Sequence, residues 1–92
     1  MITLYSKPNC PQCDQVKLKL QNLDLDFVVI DISHDSQARE FLLTQGHRSV
    51  PQIYVGDQLL VDGGWSGLNK LTADEIRQRT RLAQPTTDQG TL

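Results

Sequence analysis

The sequence is poor in the features that mark the commoner specialised roles. It has only two cysteines in 92 residues, at Cys10 and Cys13. A secreted mini-protein held by disulfides carries more of them, spread so as to join distant loops. A bridge between near neighbours closes almost no loop and adds little stability through chain entropy. Such a pair is better explained by reactivity than by scaffolding. No block of lysine or arginine stands out and the formal net charge is -2, which argues against nucleic acid or an anionic membrane as the main partner. No apolar run approaches the length that spans a bilayer. Met1-Ile2-Thr3-Leu4-Tyr5 has neither a basic start nor a long apolar stretch, so no secretory signal is expected, and the setting expected is reducing and cytoplasmic. No internal repeat is visible.

What is present is an ordinary globular balance, 38% hydrophobic and 22% charged, in a chain the size of one domain. Ile2–Tyr5 reads as a strand and Ser6–Asn9 as a loop. Pro11 suits the first turn of a helix, where its missing N–H costs nothing. Val16, Leu20 and Leu23 then share one helical face, with Leu18 off it. Phe27-Val28-Val29-Ile30 is continuous and largely β-branched, which predicts a strand buried on both faces. Several cap candidates between Ser33 and Ser36 precede a helix through Ala38, Phe41 and Leu42, and Gly46 is a natural stop. Ile53–Val55 and Leu59–Val61 form a predicted hairpin about Gly56-Asp57. Gly63-Gly64 breaks the chain, and Ser66 is the expected cap of a short turn bearing Leu68 and Leu71. Thr72 and Glu75 have capping-box spacing, so a last helix is expected from about Ala73 to Ala83. The domain is therefore placed at 1–83, with 84–92 as a disordered tail. The strand–helix–strand opening followed by an antiparallel pair implies a mixed α/β sheet.

The chemistry concentrates at Cys10 and Cys13. Thiol–disulfide exchange needs an attacking thiolate and a second thiol to resolve the mixed disulfide. Two cysteines one turn apart where a helix begins supply both. Free N–H groups and the helix dipole favour negative charge on Cys10, and Lys7 adds positive potential. Cys10 is thus the expected nucleophile and Cys13 the resolving thiol. A bare pair at this spacing is also half of a zinc site. His34 and His47 would complete the ligand count, but they stand too far apart for the usual histidine half. A purely structural pair of thiols fits poorly with the polar neighbours Asn9 and Gln12.

Three segments resemble the glutaredoxin family of the thioredoxin fold. Lys7-Pro8-Asn9-Cys10-Pro11-Gln12-Cys13 is similar to its Cys-Pro-Tyr-Cys site, with glutamine for tyrosine. Arg48-Ser49-Val50-Pro51 is similar to its Arg-Thr-Val-Pro segment, and Gly63-Gly64 to its paired glycines. The resemblance runs from Ile2 to about Leu82. It implies a mixed four-stranded sheet with helices on both faces and a cis bond before Pro51, lying against the cysteines. It further implies glutathione as cosubstrate, with no tightly bound cofactor and no metal. Lys7, Gln12 and Arg48 would receive its glycine carboxylate, the backbone of Val50 its main chain, and Gly64, Trp65 and Ser66 its γ-glutamyl end. The family often has an aromatic residue and two aspartates after the glycine pair. Here Trp65-Ser66-Gly67 resembles instead a related group of glutaredoxin-like proteins that reduce ribonucleotide reductase and are recharged by thioredoxin reductase.

The leading expectation is a monomeric, glutathione-dependent dithiol reductant of protein disulfides or glutathione mixed disulfides, with ribonucleotide reductase as one client. The same chemistry recharged by thioredoxin reductase is the alternative. A metal-handling protein is a third reading: a dimer holding an iron–sulfur cluster through Cys10 and glutathione, or a zinc module. A non-catalytic module docking through Gly63–Leu71 is the fourth.

Overall fold

A computed structural model of the chain describes residues 1–83, so the expected disordered tail at 84–92 lies outside the described residues. The elements run β1 (Ile2–Ser6), α1 (Pro11–Asn22), β2 (Phe27–Asp31), α2 (Ser36–Thr44), β3 (Gln52–Val55), β4 (Gln58–Leu59), α3 (Gly64–Asn69) and α4 (Ala73–Ala83). The four strands form one sheet in the order β2-β1-β3-β4. β1 runs parallel to β2, with Leu4 opposite Val29, and antiparallel to β3, with Leu4 opposite Ile53. β3 turns antiparallel into β4 through Gly56-Asp57, with Val55 opposite Gln58. The mixed sheet is the one that the sequence pattern implies.

Strand alternation sends successive side chains to opposite faces, and each face has its own core. Ile2, Leu4, Ile53 and Val55 meet Val16 and Leu20 of α1, Leu68 of α3 and Ile76 of α4. Tyr5 and Tyr54 point the other way and meet Ala38 and Leu42 of α2. Helices therefore cover both faces, three on one and one on the other. Full burial of a side chain such as Leu20 stabilises the fold by roughly 1.5–3 kcal/mol.

Helix starts follow local chemistry. Asp35 caps α2 by accepting the Ala38 N–H at 3.0 Å. Thr72 and Glu75 form the expected capping box, the Thr72 hydroxyl accepting the Glu75 N–H at 3.1 Å and Glu75 Oε1 accepting the Thr72 N–H at 2.9 Å. The Thr72 backbone N–H, and after it a hydrogen bond from the Thr72 side chain, hold the Glu75 carboxyl below its ordinary range.

Three expectations are corrected. Phe27–Ile30 lies at the sheet edge and is not buried on both faces: Val28 and Val29 are each 44% exposed. A run of β-branched residues specifies a strand, whereas its place in the sheet follows from tertiary order. The last strand is only Gln58–Leu59; Leu60 still donates its N–H to the Ile53 carbonyl at 2.8 Å, and the side chains of Leu60 and Val61 fill the core. Ser66 does not cap α3. Gly63 occupies that position in a left-handed conformation with no side-chain bond, and Ser66 is the third helical residue, exposed.

Candidate active site

The loop after β1 ends in a left-handed turn at Asn9, φ 59°, and delivers Cys10 to the N-cap of α1. Pro11 follows at the first helical position. Cys10 Sγ accepts the Cys13 N–H at 3.2 Å, so one of the free donors of the first turn points at sulfur. The same bond and the helix dipole favour a thiolate there over a thiol. The two sulfurs are joined in a disulfide, with the Cα atoms 5.3 Å apart. Their environments differ sharply. Cys13 is 1% exposed on the buried stripe of α1 with Val16 and Leu20, whereas Cys10 is half-buried. An incoming disulfide therefore has access to one sulfur of the pair, with the other held one turn below it.

The Val50–Pro51 peptide bond is cis. Gln52, at the start of β3, is buried and its amide donates to the Ser49 carbonyl at 2.9 Å, closing the loop around that bond. Gly64 abuts the same turn. A Cβ at Gly64, whose φ is +59°, would stand 2.7 Å from the Pro51 carbonyl oxygen, so both backbone conformation and space require glycine. The second glycine of the pair is thus fixed by its contact with the proline loop.

A groove of about 300 Å³ gathers Gln12, Arg48, Val50, Pro51, Asp62 and Gly64. Five of the residues singled out in the sequence meet there, and Gln12 brings the start of α1 to its rim. An adjoining cleft of about 270 Å³ shares Arg48 and Val50 and holds Lys7. Trp65 is not brought into either. It packs against the main core and borders a hollow on α1 beside Leu18 and Leu23, which also accounts for Leu18, 53% exposed and off the buried stripe. Ser66 borders neither cleft.

One groove residue has no role in the sequence reading, and a second, His47, figures there only as half of a possible zinc pair. Asp62 places a carboxylate beside Gly63; its signal was an acid immediately before the glycine pair, where the resemblance directs attention to the positions after it. His47 borders both clefts, with Nε2 2.6 Å from the hydroxyl of buried Tyr54. His34 stands apart, exposed beside Asp31. Among the described residues no three of His, Cys, Asp and Glu converge, and no helix is long and apolar enough to cross a membrane.

Residues 2–60 match the family model described as Glutaredoxin. The chain is similar to the glutaredoxin-like protein NrdH of Escherichia coli strain K12, 35% identical over 66 residues that cover 72% of this chain and 75% of that one. It is also similar to a glutaredoxin-like 8.6 kDa protein of the rubredoxin operon of Clostridium pasteurianum, 31% identical over 80 residues, 86% of this chain and all of the other. Among solved structures it superposes on the NrdH-redoxin of Escherichia coli, a glutaredoxin-like protein described by its thioredoxin-like activity profile. The TM-score is 0.61 at 32% identity, covering 84% of this chain and 91% of the other.

Proposed function

The chain belongs to the glutaredoxin family of thiol–disulfide oxidoreductases, and on that premise we propose that it is a dithiol reductant of protein disulfides with Cys10 as nucleophile and Cys13 as resolving thiol. The observation that carries the assignment is the asymmetry of the pair, a half-buried Cys10 receiving a helix N–H above a buried Cys13. The Cys10 thiolate attacks one sulfur of the client disulfide and expels the other as a thiolate. Cys13, once deprotonated, attacks Cys10 Sγ and releases the client's remaining sulfur. Two electrons pass to the client, and the protein is left with the Cys10–Cys13 bond seen here.

A protein reductase of the thioredoxin reductase type is proposed as the electron source. Trp65 turned onto α1, and the similarity to a glutaredoxin-like protein with a thioredoxin-like activity profile, both support it. Ribonucleotide reductase is the proposed client, on the resemblance of Trp65-Ser66-Gly67, and the protein is proposed to work as a cytoplasmic monomer. A second reading, glutathione as donor, has its own observation, the convergence of Gln12, Arg48, Val50, Pro51 and Gly64 in one groove. NADPH consumption during reduction of a small disulfide separates the two. The proposal expects turnover with thioredoxin reductase well above that with glutathione and glutathione reductase. The reverse order would move the assignment to glutathione and give the groove its ligand.

A further inference from the structure

Lys7 comes from the loop after β1, Arg39 from α2 and Arg48 from the loop before β3, yet all three border one cleft. Among the described residues its lining includes no carboxylate. None of the three takes part in an ion pair among the described residues, where the pairs are Lys17–Asp14, His34–Asp31 and Arg77–Asp74. The chain as a whole carries a net charge of -2, so this positive patch runs against the overall balance. The remainder of the lining is apolar at Ile32, Leu42, Leu43 and Val50 and polar at His47 and Ser49; Leu42 is buried, and Leu43 is 56% exposed. A large aliphatic side chain left open between cations offers an apolar contact ringed by positive charge. The volume, about 270 Å³, suits one or two side chains. The cleft also shares Arg48 and Val50 with the groove that Gln12 and Pro51 border, so an extended segment whose cysteine reaches Cys10 has a continuous path into it.

We propose that this cleft seats an acidic segment with an adjacent aliphatic residue, flanking the cysteine of the protein-disulfide client. The inference rests on the redox reading above and adds the chemistry by which a client is chosen. Arg39 becomes a specificity residue that neither the cysteine motif nor the family resemblance picks out. Charges at the rim of such a contact act mainly on association and fade with salt.

The test uses the full chain, pre-reduced and freed of reductant, so that the result does not depend on which donor recharges it. Two peptide disulfides are compared, identical except that one carries Glu-Leu-Asp and the other Lys-Leu-Lys beside the cysteine. The rate constant for oxidation of the Cys10–Cys13 dithiol is read for each. At low salt the acidic peptide is expected to react about tenfold faster, with the ratio falling towards one as salt rises. Arg39→Glu is expected to erase or invert the ratio; each ratio is taken within one protein, so a general loss of activity cancels. Equal rates in the parent protein, or a ratio unchanged in Arg39→Glu, would overturn the inference and leave the redox reading standing. Oxidation by neither peptide would overturn the redox reading, and the inference with it.

Discussion

On one face of the sheet α1, α3 and α4 close over an aliphatic core built on Ile2, Leu4 and Ile53; on the other α2 alone covers Tyr5 and Tyr54, packing its own Phe41 against them. Among the described residues the buried side chains of the first face are all aliphatic and carry no polar tip. The second is aromatic, with Tyr54 edge-on to Phe41 at 5.2 Å and to Tyr5 at 5.7 Å, and its hydroxyl held by His47. Both clefts that share Arg48 and Val50 also have His47 on their walls. The redox helix is anchored on the aliphatic side, through Val16 and Leu20 below Cys13. The difference teaches a division of labour: one face holds the dithiol rigid, and the other supports the loops that meet the client.

The comparison can be broken most severely at Leu20. Leu20→Ala opens a cavity beneath the redox helix and should cost about 3 kcal/mol, read as a lower denaturant midpoint. Tyr54→Phe keeps the ring and removes the hydroxyl that faces His47, so about 1 kcal/mol is expected. A loss as large as that for Leu20→Ala would mean that the aromatic face carries the fold as well. The cap at Thr72 is smaller still, with Thr72→Ala expected to cost between about 0.5 and 1 kcal/mol in thermal denaturation at neutral pH.

Titration sharpens the contrast, because the two sides fail at opposite ends of the pH scale. Hydrogen bonds from the Thr72 backbone and then its hydroxyl hold Glu75 below its ordinary range. Its contribution is present above that range and lost as pH falls through the lowered folded value. Burial, then the charge of Asp35, raises Tyr5; burial, then Tyr5, raises Tyr54. Their contribution is present at neutral pH, begins to fall above about pH 10 and is gone once pH passes the raised folded values. Thermal melts across pH should therefore show Thr72→Ala blunting the acid loss and Tyr54→Phe blunting the alkaline one.

The parts of this molecule legible in the sequence are those decided by near neighbours. Pro11 after Cys10 marks a helix start, Thr72 and Glu75 satisfy each other across one turn, and Gly56-Asp57 closes a two-residue hairpin. The cis bond before Pro51 was legible through resemblance alone. What stayed hidden depends on residues far apart in the chain. Nothing in Phe27–Ile30 says that no strand pairs beyond it. Leu60 and Val61 read as strand because their apolar character suits a ladder and a core equally. The resemblance implies a place for Trp65 at the γ-glutamyl end of glutathione, yet the residue borders a hollow on α1 beside Leu18 and Leu23. Arg39 has no motif to mark it, and only the fold sets it beside Lys7 and Arg48.

The central claim is that the two sulfurs have separate roles because one is accessible and the other is not. The most direct test is to mix reduced Cys13→Ser, and separately Cys10→Ser, with a client peptide disulfide and find the adduct by mass spectrometry. The account predicts a stable mixed disulfide on Cys10 in the first variant and almost none on Cys13 in the second. Equal adduct formation on both cysteines would contradict it.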